Sequence, residues 1–241
     1  MIDIHSHLLP NIDDGPQSMD ESLALAQFAV TRGITHSIVT PHIHPGRWEN
    51  EALSIRTSFE TFKKALADKN IPLKMGMSGE VRVGIESLQM IASHQVPFLG
   101  RWGNDYVVLL EMPHSHIPSG MEQMIQWMLQ RNIRPLIAHP ERNKDILRKL
   151  DNIQMLVNTG CLFQVTAGSI SGKFGSTARD RACQLLEMGV VTVLATDAHN
   201  LNRRPPALDE GRAAAAAIIG ESGATRLVID NPWRIVSCQF G

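Results

Sequence analysis

The chain has little cysteine, no long apolar run and almost no net charge, and each shortage removes a class of function. Its three cysteines, Cys161, Cys183 and Cys238, form no CxxC pair and no disulfide framework, which fits a reducing compartment. A cysteine-dependent phosphatase needs an arginine six residues after its cysteine. That offset falls on Ala167 after Cys161, on Gly189 after Cys183, and is not reached after Cys238. No stretch approaches the ~20 apolar residues that a membrane-spanning helix requires. No basic segment followed by an apolar core opens the chain, so a secretory signal is not expected and the cytoplasm is the expected location. Lys plus Arg number 23 against 24 Asp plus Glu, giving a net charge of -1. No overall basic field therefore favours nucleic acid or an anionic membrane. Two further patterns are missing: a glycine-rich phosphate loop after the first strand, and the G-x-S-x-G elbow of serine hydrolases.

What remains is a globular composition, 43% hydrophobic and 20% charged over 241 residues. No repeat, low-complexity tract or linker marks a boundary, so residues 1–241 read as one domain. Strand and helix patterns alternate along it. Strands are expected near 1–5, 34–40, 73–78, 106–110, 134–138, 162–166 and 190–195. Helices are expected near 19–32, opened by a Ser18/Glu21 capping box, and near 51–69, 85–93, 119–132, 144–158, 177–188 and 208–219. Such alternation implies right-handed βαβ units, with parallel strands inside and helices outside. Seven units in this length suit a closed or nearly closed (β/α) barrel, and an open doubly wound sheet is the alternative.

In parallel α/β folds the chemistry sits at the C-terminal ends of the strands. Here those ends carry His5 and His7, then His42, Glu80, Glu111 and His139, and finally Asp197 and His199, with Asp14 in the first loop. Residues i and i+2 of a strand share a face, so His5 and His7 can reach one point. Six of seven strand ends holding a His, Asp or Glu is more than solvated loops supply. Nine candidate ligands exceed the three or four that one ion takes and suffice for two or three divalent ions. The all-N/O set favours Mn, Fe or Zn over a soft thiolate site. Four carboxylates against three dications leave a net charge of +2, suited to a phosphate dianion. Arg142 and Arg204 flank the ring, and an arginine fork matches phosphate oxygens. Trp48, Trp102 and Trp127 read as packing aromatics, while His114 and His116 read as solvated loop histidines.

The segments His5-Ser6-His7, Asp13-Asp14-Gly15-Pro16, Thr40-Pro41-His42, Gly79-Glu80, Ala138 to Arg142 and Thr196 to Asn200 resemble the PHP (polymerase and histidinol phosphatase) superfamily. Within it, the chain is similar to the bacterial manganese-dependent protein-tyrosine phosphatases of capsule and exopolysaccharide loci, from Met1 to about Val236. The resemblance implies a distorted seven-stranded (β/α) barrel and a trinuclear centre. One ion would take His5, His7, Glu80 and Asp197. A second would share Glu80 and add Glu111 and His139. The third would take Asp14, His42 and His199. Arg142 and Arg204 would hold the phosphate. The implied reaction is phosphomonoester hydrolysis, with a metal-bound hydroxide attacking phosphorus in line. The implied cofactor is Mn²⁺, and the implied partner is the phosphotyrosyl tail of a tyrosine autokinase that governs capsule synthesis. His44 and Arg47 fall in a stretch suited to tuning substrate access, and His44 is a candidate general acid by position alone. Rival readings are a small-molecule phosphatase acting on a substrate such as histidinol phosphate, a phosphodiesterase or nuclease, and a non-enzymatic binding module.

Overall fold

Apolar and polar residues alternate from the first position, and β1 (Ile2–Ser6) puts Ile2 and Ile4 into one interior cluster. The computed structural model describes residues 1–240. α1 (Met19–Thr31) begins where Ser18 Oγ accepts from Glu21 N–H at 3.2 Å, while the Glu21 carboxylate accepts from Gln17 N–H. These contacts satisfy donors that a helix start leaves free. Then follow β2 (His36–Val39), β3 (His42–Ile43), α2 (Ala52–Asp68), β4 (Lys74–Met77), β5 (Glu80–Arg82) and α3 (Ile85–Ala92). Next come β6 (Gly100–Trp102), β7 (Asp105–Glu111), α4 (Met121–Leu129), β8 (Ile133–Ala138), α5 (Lys144–Arg148) and α6 (Gln154–Asn158). The chain continues with β9 (Leu162–Thr166), α7 (Ala167–Ile170), α8 (Ser176–Glu187), β10 (Val193–Ala195), α9 (Leu208–Thr225) and α10 (Asn231–Val236).

The architecture is mixed α/β built on parallel strands, in two sheets. One has the order β1-β2-β4; the other runs β10-β9-β8-β7-β5-β3, with β6 antiparallel on β7. The expected continuous barrel is corrected at two places. The chain breaks just past the second and third expected strands, at Thr40-Pro41 and at Ser78-Gly79, and resumes as the short strands β3 and β5. Pro41 has no N–H to donate, so the ladder cannot run through it. Gly79 is pressed so closely that a Cβ there would lie 2.4 Å from Ile43 Cδ1. Before the breaks the two strands pair within the β1 sheet; after them, His42 pairs with Glu80 in the other. The far seam is a single bridge, Ser6 to Ala198, flanked by Asp197 N–H to His5 O and His7 N–H to Ala198 O, both 2.8 Å.

Alternate residues of the strands, among them Ile4, Ile38, Leu109, Leu136 and Val193, fill the interior cluster, and Ile235 and Val236 of α10 join it. A larger cluster lies between strands and helices. The helix expected over 144–158 is α5, a 3₁₀ turn and α6, while α9 runs past Ile219 through a kink at Gly220 (φ 75°). No described helix is long and apolar enough to cross a membrane.

Candidate active site

All nine sequence-predicted ligands come together on the side of the parallel strands where β1, β7, β8 and β10 end. His5 and His7 close β1, with Nε2 atoms 3.4 Å apart. Both imidazoles are fully buried. Their outer nitrogens are occupied. His7 Nδ1–H donates to Asp13 Oδ2 at 2.6 Å, and His5 Nδ1–H to Gln164 Oε1 at 2.8 Å. His199 repeats the device, donating from Nδ1 to the Asp197 carbonyl at 2.9 Å. With a proton held on each Nδ1, the three Nε2 atoms turn inward.

Glu80 is the hub. Its Oε2 lies 3.0 Å from His42 Nδ1 and 3.4 Å from Nε2 of both His5 and His7, while Oε1 is 2.9 Å from His139 Nε2. Yet Glu80 Oε2 and His199 Nε2 are buried without a hydrogen-bond partner of acceptable geometry. Asp14 Oδ1 stands 3.3 Å from both His42 Nε2 and His199 Nε2. Four sets of donor atoms fall within 4.8 Å of one another: His5, His7 and Glu80; His5, His139 and Asp197; His42, Glu80 and Glu111; and His7, Asp14, His42 and His199. The last set contains the three ligands expected for one ion and adds His7. In the others, His139 groups with His5 and Asp197, and Glu111 with His42 and Glu80.

The electrostatics follow from crowding. Burial works against charge on Glu80, but His5 and His42 hold its carboxyl well below the usual range. Burial likewise opposes ionisation of Asp197, and Arg204, His5 and Arg142 hold it well below normal. Burial and the neighbouring Glu80 push Glu111 up. Burial disfavours the imidazolium of His7, but Asp13 lifts its pKa to about 9; Glu80 and Asp14 lift the partly buried His42 to about 11. Burial and Arg142 press His139 down to about 3, and burial and His7 press His199 down to about 4. Two candidate ligand positions are also strained: His139 (φ 33°) and Asp197 (φ 54°) adopt left-handed backbone, which costs of order 1–3 kcal/mol each.

Both predicted arginines reach the centre. Arg142 Nη1 donates to Asp197 Oδ2 at 2.5 Å, and Arg204 pairs with the same oxygen. The Phe174 ring lies 4.7 Å and 6.0 Å from the two guanidinium carbons. Six of the nine candidate ligands (Asp14, His42, Glu80, Glu111, His139 and Asp197) and both arginines line a cavity of about 210 Å³ together with His44, Arg47, Trp48, Arg82 and His114. Trp48 is thus corrected from a packing role, while His114 is an exposed loop histidine as expected and also borders the cavity.

Several site residues escaped the sequence reading. Asp13 accepts from His7, from His42 N–H at 3.0 Å and from Gly15 N–H at 2.9 Å. Asp3 accepts from Thr196 N–H at 3.0 Å and Thr196 Oγ1–H at 2.5 Å, tying β1 to the turn before Asp197. Arg82 pairs with Glu111 at 3.0 Å. The signal for Asp13 was present in the Asp13-Asp14 doublet, where one carboxylate faces the centre and its neighbour faces the ligands' backs.

The family described as capsular polysaccharide synthesis, CpsB/CapC, matches residues 1–237. The tyrosine-protein phosphatase YwqE of Bacillus subtilis (strain 168) is 35% identical over 204 residues, covering 85% of this chain and 79% of that protein. The tyrosine-protein phosphatase CpsB of Streptococcus pneumoniae is 28% identical over 248 residues, covering all of both. A crystal structure from work on YwqE and CpsB, described there as metal-dependent tyrosine phosphatases, superposes with a TM-score of 0.91 at 31% identity. It covers 99% of this chain and 95% of that one.

Proposed function

This chain belongs to the CpsB/CapC family of capsular polysaccharide synthesis, and on that premise we propose that it is a metal-dependent protein-tyrosine phosphatase. The observation that carries the proposal is a largely buried ring of inward-facing N and O donors, two of them without partners, under a pair of arginines. Donors aimed at a common centre rather than at one another fit cations, and the absence of sulfur fits Mn²⁺ first, with Fe or Zn as alternatives. We assign His5, His7, Asp14, His42, Glu80, Glu111, His139, Asp197 and His199 as the ligands of two or three ions. Bound divalent ions supply Lewis acidity and lower the pKa of water toward ~7.

The chain's own residues do the rest. Arg142 and Arg204 bind the phosphate oxygens and neutralise charge that builds on them during in-line displacement. Asp13 and Gln164 hold His7 and His5 in the tautomers that expose Nε2. A tyrosine leaving group, with a pKa near ~10, demands less protonation than a serine alkoxide, so no strong general acid is required. The expected partner is the phosphotyrosyl tail of a tyrosine autokinase in capsule or exopolysaccharide synthesis, met in the cytoplasm. For the fold we infer one PHP-type domain over residues 1–241, a distorted seven-stranded barrel whose far seam is spanned by the Ser6–Ala198 bridge.

The test is hydrolysis by metal-stripped protein given back Mn²⁺, comparing a phosphotyrosyl peptide, a phosphoseryl peptide and histidinol phosphate. Mn²⁺-dependent turnover of the phosphotyrosyl peptide alone is expected. Preference for histidinol phosphate would keep the centre and overturn the substrate. No turnover with any metal would remove the enzyme reading.

A further inference from the structure

The cavity holds one feature that neither metal nor phosphate binding uses. Among the described residues lining it, Trp48 is the only large apolar side chain; the others are His, Asp, Glu or Arg. Its loop is preformed. His44 N–H donates to Trp48 O at 3.0 Å and Trp48 N–H to His44 O at 2.8 Å, closing a tight turn through Gly46 (φ 82°). Asn50, itself buried, anchors the turn by donating to Ile12 O at 2.9 Å and His42 O at 2.8 Å. The indole lies nearly parallel to the His42 imidazole, 8° off with centroids 6.4 Å apart, and the Arg47 guanidinium sits 5.1 Å from the indole centroid.

A half-buried indole in a charged pocket, held by a rigid turn beside a candidate ligand, carries no charge to set against a phosphate. It does offer a flat apolar surface one ring wide. A phosphate held by Arg142 and Arg204 would sit in the same cavity that Trp48 lines, so its ester group can turn toward this loop. We propose that Trp48, positioned by the 44–48 turn, forms an aryl subsite that selects aromatic phosphomonoesters over alkyl ones. The inference rests on the phosphatase reading and deepens it. Aryl esters gain a ring–ring contact in addition to area burial, whereas alkyl esters of serine or of small metabolites do not. Specificity between esters of equal charge then comes from this one wall.

The test compares phenylphosphonate with methylphosphonate, two non-hydrolysable ligands with the same anionic head. Their binding to the Mn²⁺-loaded protein is measured by calorimetry and by competitive inhibition. Wild type is expected to prefer phenylphosphonate. Trp48→Ala should cut that preference roughly tenfold, and Trp48→Phe should keep it within about threefold. An unchanged preference in Trp48→Ala overturns the subsite. Equal loss on both ligands also overturns it, since Trp48 would then act through His42 on the metal centre. Wild type that prefers phenylphosphonate yet leaves phosphotyrosyl peptide intact overturns the phosphatase reading and spares the subsite. Phosphotyrosyl turnover with a Trp48-independent preference does the reverse.

Discussion

Replacing Asp13 by Asn tests whether the centre depends on its outer hydrogen bonds. Asp13 is buried and takes no place in the donor ring, yet its two oxygens accept from three N–H groups: His7 Nδ1 at 2.6 Å, His42 N at 3.0 Å and Gly15 N at 2.9 Å. Burial would raise its carboxyl, but His7 keeps it below the usual range, so it is an anion. An amide of the same shape has one accepting oxygen, and its NH₂ must face donors. The His7 bond is charge-assisted, worth about 1.5–3 kcal/mol. Losing it frees His7 to carry its proton on Nε2, which removes the lone pair aimed at Glu80 and Asp197. At 1.4 kcal/mol per decade, this corresponds to roughly 10- to 100-fold in metal affinity, the usual cost of deleting such a partner. Mn²⁺ affinity is measured by chelator competition on Asp13→Asn and wild type, with circular dichroism to confirm the fold. Much of the activity should return at saturating Mn²⁺. A folded Asp13→Asn that binds Mn²⁺ within about twofold of wild type would refute the reasoning.

The other predictions concern protons, phosphate, stability and thiols. His7 and His42, lifted to about 9 and about 11 in the metal-free protein, are protonated at neutral pH and must be neutral to ligate. Mn²⁺ binding should therefore release protons, with affinity rising from pH 6.5 to 9; calorimetry in two buffers of different ionisation enthalpy reads the number, and zero at pH 7 contradicts the assignment. A group whose folded pKa is raised stabilises below its unfolded value and loses that contribution as pH rises through the folded one. The His7–Asp13 pair should thus cost metal-free protein stability between pH 6.5 and about 9, visible as a falling urea midpoint. Arg204→Lys keeps the charge but not the fork, and should lower kcat/KM for a phosphotyrosyl peptide roughly 10- to 100-fold while leaving bound metal unchanged. Mn²⁺ at 100 times its Kd should add about 2.7 kcal/mol, raising Tm by roughly 5–10 °C in a domain of this size. Burial pushes the Cys161 thiol up to about 11, so iodoacetamide at pH 7.5 should modify exposed Cys238 first and Cys161 last, as mass spectrometry would show.

The donor ring was legible because its chemistry restricts residue choice. Only His, Asp and Glu serve, and parallel topology restricts where they stand, so marking the strand ends found eight of the nine, and the Asp13-Asp14 doublet of the first loop supplied Asp14. The residues that orient them were not legible, because any acceptor will do. Gln164 lies within β9, the one expected strand whose end carries no ligand, and its amide reads as filler until His5 is seen against it. Phe174 reads as an ordinary loop aromatic; only the folded chain brings it under two guanidinium groups. Trp48 was assigned to packing because a tryptophan near Pro45 and Gly46 carries no pattern that separates a pocket wall from a core residue.

The irregularities that the strand pattern missed are also what shape the centre. A second strand running straight through residues 34–40 and on past Pro41 would keep its neighbours of β1 and β4. Instead the breaks at Thr40-Pro41 and Ser78-Gly79 pass β3 and β5 into the other sheet as a pair, with His42 opposite Glu80. That register puts His42 Nδ1 3.0 Å from Glu80 Oε2. At β8 and β10 the same end is reached through left-handed backbone at His139 and Asp197. Each departure costs a ladder bond or steric strain, and each occurs at or beside a candidate ligand. Regular strands would satisfy their backbones better and point these side chains elsewhere. The strain is sustained because the apolar interior beneath, from Ile4 to Val193, and the Asp3–Thr196 clasp fix both flanks.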